Sequence, residues 1–164
     1  MMQYETLVDA IYHYEPGLYE QIRKKKFKPK SKEELKTALF DWMHHNEKAL
    51  NLYGHVSSWD VSLITDMSYL FFWNVWSLFN DNINDWDVSN VKNMKSMFKG
   101  CYRYNQPMDK WNTKNVEDMS YMFRFCRSFK QNINMWDTSK LQQSCDMFKY
   151  TSMPPEYKCQ TTNN

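Results

Sequence analysis

Apolar residues recur along this chain at fixed distances from four tryptophans, Trp59, Trp86, Trp111 and Trp136, which stand 27, 25 and 25 residues apart. Three positions before each tryptophan come Val56, Ile83, Met108 and Ile133, and five after it come Ile64, Val91, Val116 and Leu141. At eight, eleven and twelve after it stand Met67, Leu70 and Phe71, then Met94, Met97 and Phe98, then Met119, Met122 and Phe123, and last Ser144, Met147 and Phe148. That spacing is the stripe of a helix face, whereas the stretch around the tryptophan reads as short extended structure and turn. A fixed period in this range describes stacked coils, each burying its apolar side against the next. The expected fold is an α/β repeat: a short right-handed leucine-rich-repeat-like solenoid of about four coils over residues 55–158, with an N-terminal helical cap over 1–54 and a tail over 159–164.

The cap departs from the repeat. Leu7, Val8, Ile11 and Tyr12 form a short apolar stripe that ends near Glu15-Pro16-Gly17, and a second short helix is predicted from Leu18 to Lys26. A third starts at Ser31, whose hydroxyl and the Glu34 carboxylate form a capping box. It carries Leu35, Leu39, Trp42, Met43, Ala49 and Leu50 on one face and stops at Gly54. Within the repeats, Asp66, Asn93 and Asp118 precede the methionine of each expected helical piece and suit N-caps; Gln143 stands in their place in the last coil.

The run Asn-Ile-Asn-Asp-Trp-Asp-Val-Ser-Asn-Val-Lys-Asn-Met-Lys-Ser-Met-Phe-Lys-Gly-Cys, residues 82–101, resembles the repeat of BspA-like leucine-rich repeat proteins. That repeat is catalogued as a domain of unknown function in mycoplasma lipoproteins, with similar proteins in protists and large DNA viruses. Matches to it run through residues 52–158, and Met153-Pro154-Pro155-Glu156-Tyr157-Lys158 resembles the tail that closes such arrays. The lead-in from Lys30 to Asp60 is similar to viral and protist members. The resemblance implies an interaction scaffold without a shared active site.

Composition agrees with a packed array. Aromatic residues make up 17% of the 164 positions and methionine occurs twelve times, while glycine occurs only three times, which excludes collagen-like and disordered chains. No apolar run reaches membrane-spanning length. The first residues lack the positive flank and apolar core of a secretory signal, so the expected location is the cytosol, or a particle if the source is viral. The formal net charge of +2 conceals a basic run, Arg23, Lys24, Lys25, Lys26, Lys28, Lys30 and Lys32, whose removal leaves a mildly acidic remainder.

Most candidate chemistry has a structural reading beside it. The tryptophan column reads first as a packed ladder, with an exposed aromatic strip as the alternative. Asp60, Asp87, Asn112 and Asp137 could suggest calcium, yet with Ser62, Ser89 and Ser139 they fit side-chain to backbone turns. Cys101 and Cys126 share a column, as buried thiols or as a disulfide. His13, His44, His45 and His55 form no metal pair. No phosphate loop or nucleophile constellation is visible. No catalysis, metal, cofactor or small-molecule substrate is therefore expected.

Two departures from the repeat are the candidate partner-binding residues. The first coil carries two extra residues, and Phe72, Trp73, Val75 and Trp76 there either pack against the cap or present an apolar docking surface. Arg23, Lys24, Lys25 and Lys26, together with a line of one cation per coil, Lys99, Arg124 and Lys149, could contact an acidic protein or, less favourably, nucleic acid. The expected function is a non-catalytic interaction or structural module, viral in flavour and a minor component of a virion, with a soluble adaptor binding a host protein as the alternative.

Overall fold

The computed structural model describes residue 17 and residues 27–72 and 74–161. The two helices expected before Lys26 lie outside these residues. Ser31 does cap a helix: its Oγ accepts the Glu34 N–H at 3.1 Å, and the Glu34 carboxylate accepts the Lys30 N–H at 2.8 Å. The helix α1 runs Lys32–His44, and α2 runs Asn46–Tyr53. One continuous helix was the expectation, but His45 leaves the helical region at φ −139 while still donating its N–H to the Asp41 carbonyl. Asp41 lies at this bend, taking Lys48 Nζ at 3.0 Å and the Tyr53 hydroxyl at 3.2 Å. Gly54, at φ 72, ends α2 where a side chain would be strained.

The α/β class and the four-coil solenoid are corrected by the backbone. Among the described residues there are two α-helices, three short 3-10 segments and no β-strand; parallel pairing is confined to isolated bridges joining Asp66, Asn93, Asp118 and Gln143 in turn. The apolar positions with helical spacing are not helical, because Tyr69, Ser96, Tyr121 and Asp146, ten residues past their tryptophans, have φ between 50 and 61. Gly100, Phe125 and Tyr150, four further on, are also left-handed. An L-residue there breaks the i→i−4 ladder.

What replaces the helix is a ribbon of overlapping turns. In the second repeat the N–H groups of Met97, Lys99 and Cys101 bond back three residues, to Met94, Ser96 and Phe98, at 2.9–3.2 Å. The alternate N–H groups, of Met94, Ser96, Phe98 and Gly100, point to the next repeat and donate to Asp118, Ser120, Met122 and Arg124 at 2.8–3.0 Å. The side chains of Asp66, Asn93 and Asp118 accept the N–H two residues on, at 2.7–3.0 Å, so these residues cap turns and not helices. Backbone groups of the ribbon are thereby satisfied within or between repeats, as burial demands.

The side chains stack in register above this frame. The four indoles are buried, and each Nε1–H donates to a carbonyl upstream, Trp59 to Gly54, Trp86 to Val56, Trp111 to Ile83 and Trp136 to Met108, at 2.8–3.3 Å. The phenylalanine column Phe71, Phe98, Phe123 and Phe148 has centroids 5.0–6.1 Å apart and nearly parallel rings. Cys101 and Cys126 are free thiols that donate to the carbonyls of Phe71 and Phe98, and burial pushes Cys126 up to about 12. Helix α1 closes the first repeat: Lys32 Nζ reaches Asp66 and Ser68, and Trp42 Nε1–H donates to Asp81 at 3.1 Å. At the other end Ile133 N–H donates to the Tyr157 carbonyl, which ties down the proline-containing tail.

Candidate interaction surface

The turn ribbon decides which side chains face outward. Its left-handed residues and their neighbours place one cation per repeat in a line, Lys99, Arg124 and Lys149, as the column predicts. Lys99 Nζ lies 5.2 Å from the Phe72 ring centroid and 5.6 Å from that of Tyr121. The Arg124 guanidinium lies 5.2–5.8 Å from Phe125, Tyr121 and Tyr150, and Phe125 stacks on Tyr150 at 4.7 Å. Such distances are those of cation–π attraction. Asp146 anchors the end of the line, accepting Arg124 at 2.8 Å and Lys149 at 3.2 Å.

A second line follows the bend after the ribbon. The Arg127 guanidinium lies 5.5 Å from the ring of Tyr102, and both residues are exposed, as are Arg103 and Lys130. Sequence reasoning passed over these residues, although a signal was present. Segments 68–80, 95–106 and 120–131 contain Lys95, Lys99, Arg103, Arg124, Arg127 and Lys130 and no acid at all. The intervening stretches hold Asp60, Asp66, Asp81, Asp85, Asp87, Asp109, Glu117, Asp118 and Asp137. The second and third repeats are thus basic over their ribbon halves and acidic over their tryptophan halves, whereas the first ribbon is uncharged and the last holds Asp146. Among the described ion pairs none engages Lys95, Lys99, Arg103, Arg127 or Lys130.

The acids of the other half are largely spoken for by turns. Asp60, Asp87 and Asp137 accept the backbone N–H of Ser62, Ser89 and Ser139 at 2.9–3.1 Å, the turn role expected of them. Lys28 and the Ser62 hydroxyl also bind Asp60, and these bonds hold its carboxyl down at about 2. On this half an open groove of about 470 Å³, lined by residues including Leu63, Lys92, Glu117 and Lys140, offers both charges side by side.

The other candidates divide. Trp76 does not present a docking surface: the two extra residues are taken up around a 3-10 segment, Asn74–Leu78, that turns its indole inward against Phe71 at 5.4 Å and Phe79 at 6.0 Å. Phe72 is half-buried beneath Lys99. Trp73, the side chain of Val75, and Arg23, Lys24, Lys25 and Lys26 lie outside the described residues. Lys28 and Lys32, at the end of the basic run, are engaged in the ion pairs that dock the cap on the first repeat. Among the described residues no group of three or more His, Cys, Asp or Glu is placed to hold a metal ion, and no helix is long and apolar enough to cross a membrane.

A family model described as "Mycoplasma protein of unknown function, DUF285" matches residues 38–157. No curated protein matches the chain. No solved structure matches it either.

Proposed function

We propose that this chain, which belongs to the mycoplasma family of unknown function just described, is a non-catalytic binding module that takes a polyanionic macromolecule on its ribbon side. The finer BspA-like leucine-rich-repeat membership is part of this proposal and rests on the Trp-Asp-Val-Ser-Asn-Val motif of residues 86–91. The observation that carries the reading is the absence of acids from the two segments, 95–106 and 120–131, that supply Lys95, Lys99, Arg103, Arg124, Arg127 and Lys130. Segregated charge concentrates a positive field on one side of a molecule whose net charge is only +2. Exposed Arg and Tyr supply contact area beside it, and both residue types anchor interfaces well.

The test compares two triple variants of equal charge change on immobilised heparin. Arg103→Glu with Arg127→Glu and Lys130→Glu removes the ribbon-side field; Lys92→Glu with Lys114→Glu and Lys140→Glu removes cations from the tryptophan half. The first triple is expected to elute at much lower salt than the wild type, and the second to stay much closer to it. Equal shifts in the two would mean that net charge alone governs retention, and the reading would fall.

A further inference from the structure

We infer that the polyanion is a single-stranded nucleic acid, RNA or DNA, an inference that rests on the ribbon-side reading above. Polyanion capture needs only cations, yet this side also offers rings. Tyr150 is 56% exposed and stacked on Phe125 through one face. Tyr102 is 42% exposed and carries the Arg127 guanidinium against its ring. Rings held from one side are platforms on which unpaired bases stack, and cations beside them meet the phosphates between. Tyr102 lies in the second repeat and Tyr150 in the last, each with a cation against its ring, Arg127 and Lys149. A linear ligand running along the array would therefore meet a ring beside a cation at two places.

A duplex fits poorly. Reading its major groove takes a projecting helix or β-ribbon, and the described helices α1 and α2 lie at the amino end while the basic side is built of turns. Bases inside a duplex are also stacked on one another and leave no face for Tyr102 or Tyr150.

The experiment measures fluorescence anisotropy of labelled oligo-U and oligo-dT of about 12 nucleotides, with a duplex of the same length and a poly-glutamate peptide as competitors. Both single strands are expected to bind. Five cations that no described ion pair engages predict an affinity loss of roughly a hundredfold between about 50 and 200 mM salt. The double variant Tyr102→Ala with Tyr150→Ala, whose charge is unchanged, is expected to bind about tenfold more weakly with the same salt slope. Arg103→Glu with Arg127→Glu is expected to flatten the slope. Thermal melting of each variant verifies folding, which these exposed positions should leave intact. If the tyrosine variant binds like the wild type, or duplex and poly-glutamate compete as well as single strands, the nucleic-acid inference is overturned while the basic-side reading stands. If neither the oligonucleotides nor poly-glutamate binds, both are overturned.

Discussion

Asp60 and Asp81 carry the same group into opposite environments, and their pH dependences should have opposite signs. Asp60 accepts Ser62 and Lys28 and is held at about 2, below the ordinary carboxylate value of about 3.9. Its contribution is present above the unfolded value and is lost as pH falls toward 2. Asp81 is raised, because burial outweighs the one hydrogen bond it accepts from Trp42 Nε1–H. A raised carboxyl favours folding fully below the unfolded value, and that contribution is lost as pH rises through the folded one. Asp81→Asn, which keeps an acceptor for Trp42 without a charge to desolvate, is expected to raise Tm at pH 7, with the gain shrinking as pH approaches 3. Asp60→Asn is expected to lower Tm at pH 7 and to converge on the wild type near pH 2. Melting curves for both variants between these limits check the pair, and parallel curves for the two would contradict it.

At the scale of the element, the turn ribbon explains both what the sequence reveals and what it conceals. The apolar columns eight, eleven and twelve residues past the tryptophan are buried as expected from Met67 to Met147, and Phe148 is half-buried. Their three-and-four spacing suits a helix, but it suits consecutive turns that bond three residues back equally well. The deciding feature is the left-handed residue at Tyr69, Ser96, Tyr121 and Asp146, and none of these types except Asp announces a positive φ. Asp146 and Gly100 are the compositional hints. Asp66, Asn93 and Asp118 were legible as caps, though of turns. Removing that acceptor in Asn93→Ala is expected to cost about 1 kcal/mol, as loss of a cap does. Gln143→Asp would provide the last repeat with the acceptor for the Cys145 N–H that the other three have, and is expected to gain part of that amount. Urea unfolding measures both; a stabilised Asn93→Ala would show that the side-chain bond at 3.0 Å contributes nothing.

For the whole molecule, the tryptophan register located the core correctly, while the basic side was only half legible. Lys99, Arg124 and Lys149 stood out as a column, but Arg103, Arg127 and Lys130 emerge only when acids are counted by position within the repeat. The same register predicts how stability is distributed, since in a stacked array each repeat is held by its neighbours. Phe98 is fully buried and stacks on Phe71 at 5.0 Å, Phe123 at 5.7 Å and Tyr104 at 4.4 Å. Phe148, in the same column, has a ring partner on one side only, Phe123 at 6.1 Å, and is half-buried with Lys158 over its ring. Phe98→Ala therefore opens a cavity against two repeats and is expected to cost the full 3–5 kcal/mol, roughly, of a core aromatic truncation. Phe148→Ala should cost less than half of that, because the ring is only half-buried and stacks on Phe123 alone among the described rings. Equal losses in urea unfolding would mean that the carboxyl-terminal tail seals the last repeat as tightly as a neighbouring repeat does.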